Sequence, residues 1–205
     1  MFGLNASELK LLRRLNTPAK IQDWLETVPA NFEPEGDTLI SPRRVIRERR
    51  AHCLEGALLA AAALWVNGER PLLLDLKTVE ADFYHVVALF RRHGRWGAIS
   101  KSNHAVLRYR EPIFRTVREL ALSYFHGYFL NDGRKTLRSY ARPLDLRRFA
   151  QRQWLTDESD LWYIGEALDD QPHYPLLDKK MTASLRRADP LEIKAGRITQ
   201  WKRRR

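Results

Sequence analysis

The run AHCLEGALLAAAALWV, residues 51–66, constrains the fold of this chain more than any other stretch. Leu54, Leu58, Ala61, Ala62 and Trp65 recur at helical spacing and form a broad apolar face, which predicts a buried helix over about Ala51 to Val66. Its alanines are small enough to let a neighbouring sheet approach closely. Asn67 and Gly68 follow, residues suited to the left-handed conformation of a helix stop. After them the period changes to two. PLLLDLK predicts a buried strand, YHVVALFRR and GRWGAIS flank the turn-forming His93 and Gly94 as an antiparallel hairpin, and AVLRYR predicts another strand. A helix followed by an antiparallel meander is an α+β pattern.

The flanks read as helices. Asn5 with Glu8 forms a capping box for a helix through about Leu15, and Thr17-Pro18 starts a second carrying Ile21, Trp24, Leu25 and Val28. PANFEPEGDTLI is a loop, and Ser41-Pro42 opens a further helix. From Glu111, the segment EPIFRTVRELALSYFHGYF places Ile113, Val117, Leu120, Ala121, Tyr124 and Tyr128 on one helical face. Past LNDG, shorter helices broken by Pro143, Pro172, Pro175 and Pro190 are expected. A length of 205 residues and 44% hydrophobic content suit a single domain over 1–205, with N-terminal helices (1–40), a core (41–110) and a C-terminal helical part (111–205).

No apolar run approaches the ~18 residues of a membrane span. The start MFGLNASELKLLRRLN lacks a basic segment followed by an apolar stretch and cleavage site, so a cytoplasmic protein without a membrane partner is expected. The formal charge is +11, from 36 Lys and Arg against 25 Asp and Glu. These bases occur in short groups (RRVIRERR, FRRHGR, DLRRF, SLRR) with acids between them, which describes a solvated surface rather than a nucleic-acid reading head. The terminal WKRRR reads as a frayed end that attracts polyanions weakly.

The single cysteine, Cys53, excludes an internal disulfide and a multi-cysteine zinc site. It falls in the first turn of the apolar helix, where free amides and the helix dipole favour a thiolate, and Arg47, Arg49 and Arg50 add positive charge. A nucleophilic thiol needs a base and a group that orients it. His85 opens a strand beside that helix and shares a face with Val87 and Leu89, which directs the imidazole toward a helix docked on that face. Across the hairpin, a residue between Ser100 and Ser102 lies opposite His85, making Ser100 and Asn103 candidate partners of the ring. His52 is set aside because adjacent side chains on a helix point apart, leaving it to tune local charge or to sit at the surface. Asp75, inside an apolar strand, needs a partner, with a structural pairing to an arginine expected ahead of a reach toward the active site. DDQPHYP reads as a loop, and without clustered carboxylates His93 and His104 do not suggest a metal site.

A helix-start cysteine in AHCLEGALLAAAAL, a strand-start histidine in YHVVALF and a polar residue closing the next strand, GRWGAIS, together resemble the transglutaminase-like superfamily of the papain-like fold, in its bacterial form. The resemblance covers residues 41–110. It implies a nucleophile helix packed on an antiparallel sheet, in which Cys53 attacks an amide or peptide carbonyl and His85 activates the thiol and protonates the leaving amine. Asn103 or Ser100 would hold the imidazole, and the Cys53 amide would help bind the oxyanion. Transfer to water would make a protease or amidase, and transfer to an amine a cross-linker. A protein or peptide substrate is implied, and no metal or organic cofactor. Ser100 falls where the family usually has an aspartate, and a serine carries no charge to stabilise an imidazolium. Either Asn103 serves instead, as in papain-like relatives, or the triad is incomplete. Two other readings therefore stand beside the enzyme: a catalytically inactive module that binds a protein or peptide in the same cleft, and a basic nucleic-acid binder whose affinity falls steeply with salt.

Overall fold

Each of the first three helices begins where a side chain takes up a free amide of its first turn. In the computed structural model, which describes residues 2–202, Asn5 and Glu8 close a capping box on α1 (Ala6–Arg14), Thr17 caps α2 (Pro18–Glu26) and Ser41 caps α3 (Pro42–Glu48). Arg49, in the left-handed region at φ 54°, turns the chain out of α3. Ala51 then forms a parallel bridge with Ala30, and α4 (Cys53–Val66) begins two residues later.

The chain continues through β1 (Leu72–Thr78), β2 (His85–Arg92), β3 (Arg95–Ile99), β4 (Arg110–Phe114) and α5 (Val117–Tyr124). It ends with β5 (Leu137–Ala141), β6 (Leu144–Asp145), α6 (Trp162–Asp169), β7 (His173–Pro175), α7 (Lys179–Ala183) and α8 (Pro190–Gly196). The strands form one antiparallel seven-stranded sheet in the order β4-β3-β2-β1-β5-β7, with β6 paired beside the start of β1. The fold is α+β. No helix among the described residues is long and apolar enough to cross a membrane.

Two apolar cores lie on the two faces of this sheet. On one, α4 is buried along its whole length from Leu54 to Leu64, against Leu73 of β1 and Val86, Ala88 and Phe90 of β2. On the other, α5 places Leu120, Ala121 and Tyr124 against Leu74, Leu76, Val87 and Leu89. Because β1 and β2 are apolar on both faces, alternation alone could not say which face α4 covers. It covers the face opposite Val87 and Leu89, so the docking side expected for His85 is corrected.

Three other expectations are corrected. AVLRYR is a loop, and the strand begins at Arg110; the carbonyls of Val106, Leu107 and Arg108 accept side-chain bonds from Arg110, Ser100 and Tyr124 instead of joining a ladder. The segment from Glu111 is first a strand, with Ile113 68% exposed, and helix starts only after Thr116 caps it. The part from 111 onward is not wholly helical: β5, β6 and β7 complete the sheet, and His173 in DDQPHYP lies on β7. Of the terminal WKRRR expected to fray, Trp201 is held by its backbone to Asn103, and residues 203–205 lie outside the described ones.

One close approach fixes α4 against the chain that leaves β3. A Cβ on Gly56 would stand 2.3 Å from Cβ of Lys101, whose buried ammonium caps the C-terminal carbonyls of Leu25 and Val28. The obstructing atom is at the root of the lysine side chain and cannot swing away. Gly56→Ala should therefore cost about 1–3 kcal/mol by overpacking, read as a lowered urea midpoint with unchanged slope.

Candidate active site

The start of α4 is held by a buried carboxylate. Glu55, fully buried, accepts from the His52 amide (2.9 Å), the Ile40 amide (3.1 Å), Thr38 Oγ1 (2.8 Å) and Asn31 Nδ2 (3.1 Å). It thereby ties the 31–40 loop to the first turn of the helix. His52 is the residue before the helix, with extended backbone, and its Nε2 lies 2.9 Å from the Thr38 carbonyl. Cys53 is the first helical residue and partly exposed, and its amide has no partner among the described residues. Such an unpaired amide is available to a developing oxyanion.

His85 stands at the open end of β2, directly opposite Leu76 of β1. From this position it borders the same cleft as Cys53, although its neighbours Val87 and Leu89 face α5. Its Nε2 is 2.7 Å from Ser100 Oγ, and that Oγ is 2.6 Å from the Leu107 carbonyl. A hydroxyl has one proton, and the carbonyl can only accept. The Ser100 proton therefore goes to Leu107, Ser100 accepts Nε2–H of His85, and Nδ1 is left as the basic nitrogen for the thiol. Gln22 holds Ser100 in turn, with Oε1 3.0 Å from its amide and Nε2 3.0 Å from its carbonyl. Tyr124 packs edge-on to the His85 ring with centroids 6.3 Å apart.

The electrostatics favour a thiolate. Burial works against it, yet hydrogen bonding and positive charge from His52 and His85 hold the Cys53 thiol well below its usual value. Burial also opposes a charge on His52, but the Cys53 sulfur, Glu55 and the Thr38 carbonyl together push that ring up to about 9. The same ring has Nδ1 3.2 Å from the Leu54 amide, a cap that a protonated nitrogen cannot accept. A charged His52 ring favours the Cys53 sulfur over the Leu54 amide, because a charge-assisted bond outweighs a long neutral one. Burial and the Cys53 sulfur both push the nearby Tyr84 phenol upward.

Of the residues expected from the sequence, the fold brings Cys53, His85 and Ser100 together. Asn103 also lines the cleft, but its amide is committed to Trp201, with Nδ2 3.0 Å from the carbonyl and Oδ1 2.7 Å from the amide nitrogen. It does not hold the imidazole. Asp75 pairs with His173 Nε2 at 3.0 Å rather than with an arginine, and burial pushes its carboxyl up. His52 tunes the charge at the thiol, as one of the two expected roles had it, but it does so from the residue before the helix, where the divergence of adjacent helical side chains does not apply. The spacing of His52 and Glu55 carried the signal of a capping box. Gln22 had no local signal, being 78 residues from Ser100.

The site opens into a cleft of about 460 Å³ bordered by Phe32, Phe83, Tyr84, Tyr128 and Phe129. No group of three or more His, Cys, Asp or Glu side chains among the described residues is placed to hold a metal ion. Ser100→Ala would leave Nε2–H of His85 without its acceptor while sparing the backbone clamp of Gln22. The pH midpoint of Cys53 alkylation by iodoacetamide should then rise toward the ~8.5 of an ordinary thiol. An unchanged midpoint would show that Ser100 does not orient the ring.

No protein-family model and no curated protein matches this chain.

Proposed function

We propose that this protein is a cysteine hydrolase or acyltransferase of the transglutaminase-like, papain-like kind, acting on amide or peptide carbonyls. The observation that carries the reading is the directed chain from His85 Nε2–H to Ser100 Oγ to the Leu107 carbonyl, which leaves Nδ1 as the free ring nitrogen in the cleft that His85 shares with Cys53. The thiol proton passes to His85 Nδ1, and the sulfur attacks the carbonyl carbon. The oxyanion lies near the free Cys53 amide. As the C–N bond breaks, Nδ1 returns its proton to the departing amine, leaving a thioester on Cys53. Water or an amine then adds to the thioester, gives a proton to Nδ1, and displaces the sulfur, which regains its thiolate.

Ser100 orients the ring without countering its charge, a weaker arrangement than a carboxylate. This neutral partner favours a second reading, a module that binds a peptide in the cleft without turning it over. Mass spectrometry of the intact protein after mixing with N-acetyl-peptide p-nitroanilides separates the two. The enzyme should show nitroaniline release and a thioester adduct on Cys53, with His85→Ala slower by roughly 10²–10⁴-fold. Binding of the peptides with neither release nor adduct would establish the module instead.

A further inference from the structure

We propose that Phe83 and Tyr84 determine substrate specificity in the Cys53 cleft, seating a large apolar or aromatic side chain on the acyl part of the substrate. The inference rests on the reading of Cys53 as an acyl-transfer nucleophile and names the substrate class that site would take.

Phe83 is 87% exposed and Tyr84 54% exposed, and they immediately precede His85. Single exposed apolar residues are ordinary on protein surfaces. These two are adjacent, they border the same cleft as the thiol, and Phe32, Tyr128 and Phe129 complete the aromatic lining. The loop that carries them is held firmly. Thr136 Oγ1 donates to Asp82 Oδ2 at 2.5 Å, Thr78 Oγ1 to the Asp82 carbonyl at 2.7 Å, and the Phe83 amide to Asp82 Oδ1 at 2.9 Å. The Val79 amide bonds to the Thr136 carbonyl and the Asp82 amide to the Val79 carbonyl. The aromatic pair is therefore presented in a fixed position, which lowers the ordering cost of binding against it.

Charge points the same way. The Asp82 carboxylate is occupied by Thr136 and the Phe83 amide, and the Lys101 ammonium by the Leu25 and Val28 carbonyls. Neither offers a counter-ion to a charged acyl side chain. Arg197, with Nε on Asn131, and the His52 ring also border the cleft and are the cations that an acidic substrate would meet. A cleft of about 460 Å³ admits a small amide or a few residues of a peptide. A molecule whose carbonyl reaches Cys53 then lays its neighbouring side chain against the residues beside His85.

The test alkylates Cys53 of the full chain with the chloromethyl ketones of N-acetylphenylalanine, N-acetylglycine, N-acetylglutamine and N-acetylaspartate. Each rate is normalised to that of iodoacetamide on the same variant. The phenylalanyl probe should react ~10-fold faster than the glycyl probe, the worth of one apolar side chain moved out of water. Phe83→Ala, a change at an exposed position, should shrink that ratio, and Phe83→Leu should restore part of it. Equal rates for the four probes, a faster glutaminyl or aspartyl probe, or a ratio indifferent to Phe83→Ala would overturn the inference. An iodoacetamide reaction that is slow and unaffected by His85→Ala would instead overturn the reading of Cys53 as a nucleophile, and this inference with it.

Discussion

The buried Glu55 carboxylate is the interaction on which the geometry around Cys53 depends. Removing a carboxylate from water costs several kcal/mol unless its oxygens are well satisfied. Here four donors come from two separate segments: Asn31, Thr38 and Ile40 of the 31–40 loop, and His52, the residue that precedes α4. Moving any of these donors leaves the charge short of a partner. The chain therefore has one low-energy way to enter α4, and that entry sets the position of Cys53 and the exposure of its amide. The same carboxylate lies 3.4 Å from His52 Nε2, so it acts on the electrostatics of the thiol as well as on its position.

The second half of the site is set by the sheet. His85 borders the cleft of the thiol from the end of β2, and Ser100 follows directly after β3, so the hairpin brings the two within reach of each other across a diagonal. Ser100 is pinned at its backbone by Gln22 and at its hydroxyl by the Leu107 carbonyl. That carbonyl also explains why a carboxylate would fit poorly here. An aspartate has no proton for Leu107, and two acceptors would be brought face to face at hydrogen-bond distance. The serine and the shape of the 101–109 loop belong together.

What the sequence made legible follows from how local each signal is. The helix starts at Asn5, Thr17 and Ser41 depend on residues two or three apart, and they appear where the capping patterns put them. The nearness of His85 to Ser100 was legible because a short turn brings the end of β3 beside the start of β2, although the register, carried past Ala88 and Ile99, sets Ser100 beside Val87 and the contact with His85 runs diagonally. β5, β6 and β7 were not, because they are short and gain their meaning from pairing with β1 or with one another across long stretches of chain. Gln22 was invisible for the same reason. The effect of His52 on local charge was legible from its place beside Cys53, but its nearness to the sulfur was not, because its backbone is extended and the rule for helical neighbours does not hold there. Asn103 was chosen for its chemistry and its nearness to Ser100, whereas its partners lie in the residues around Trp201.

That attachment has a consequence for biosynthesis. Asn103 and Trp201 are 98 residues apart, and a ribosome covers that distance in roughly 5–20 s at about 5–20 residues per second. Throughout that interval Cys53, His85 and Ser100 already exist in the nascent chain. The α8 border of the cleft, including Ile193, Gly196 and Arg197, does not. The pocket that would select a substrate is thus finished only when translation has passed the residues that Asn103 clasps, and the nascent thiol waits beside an incomplete cleft.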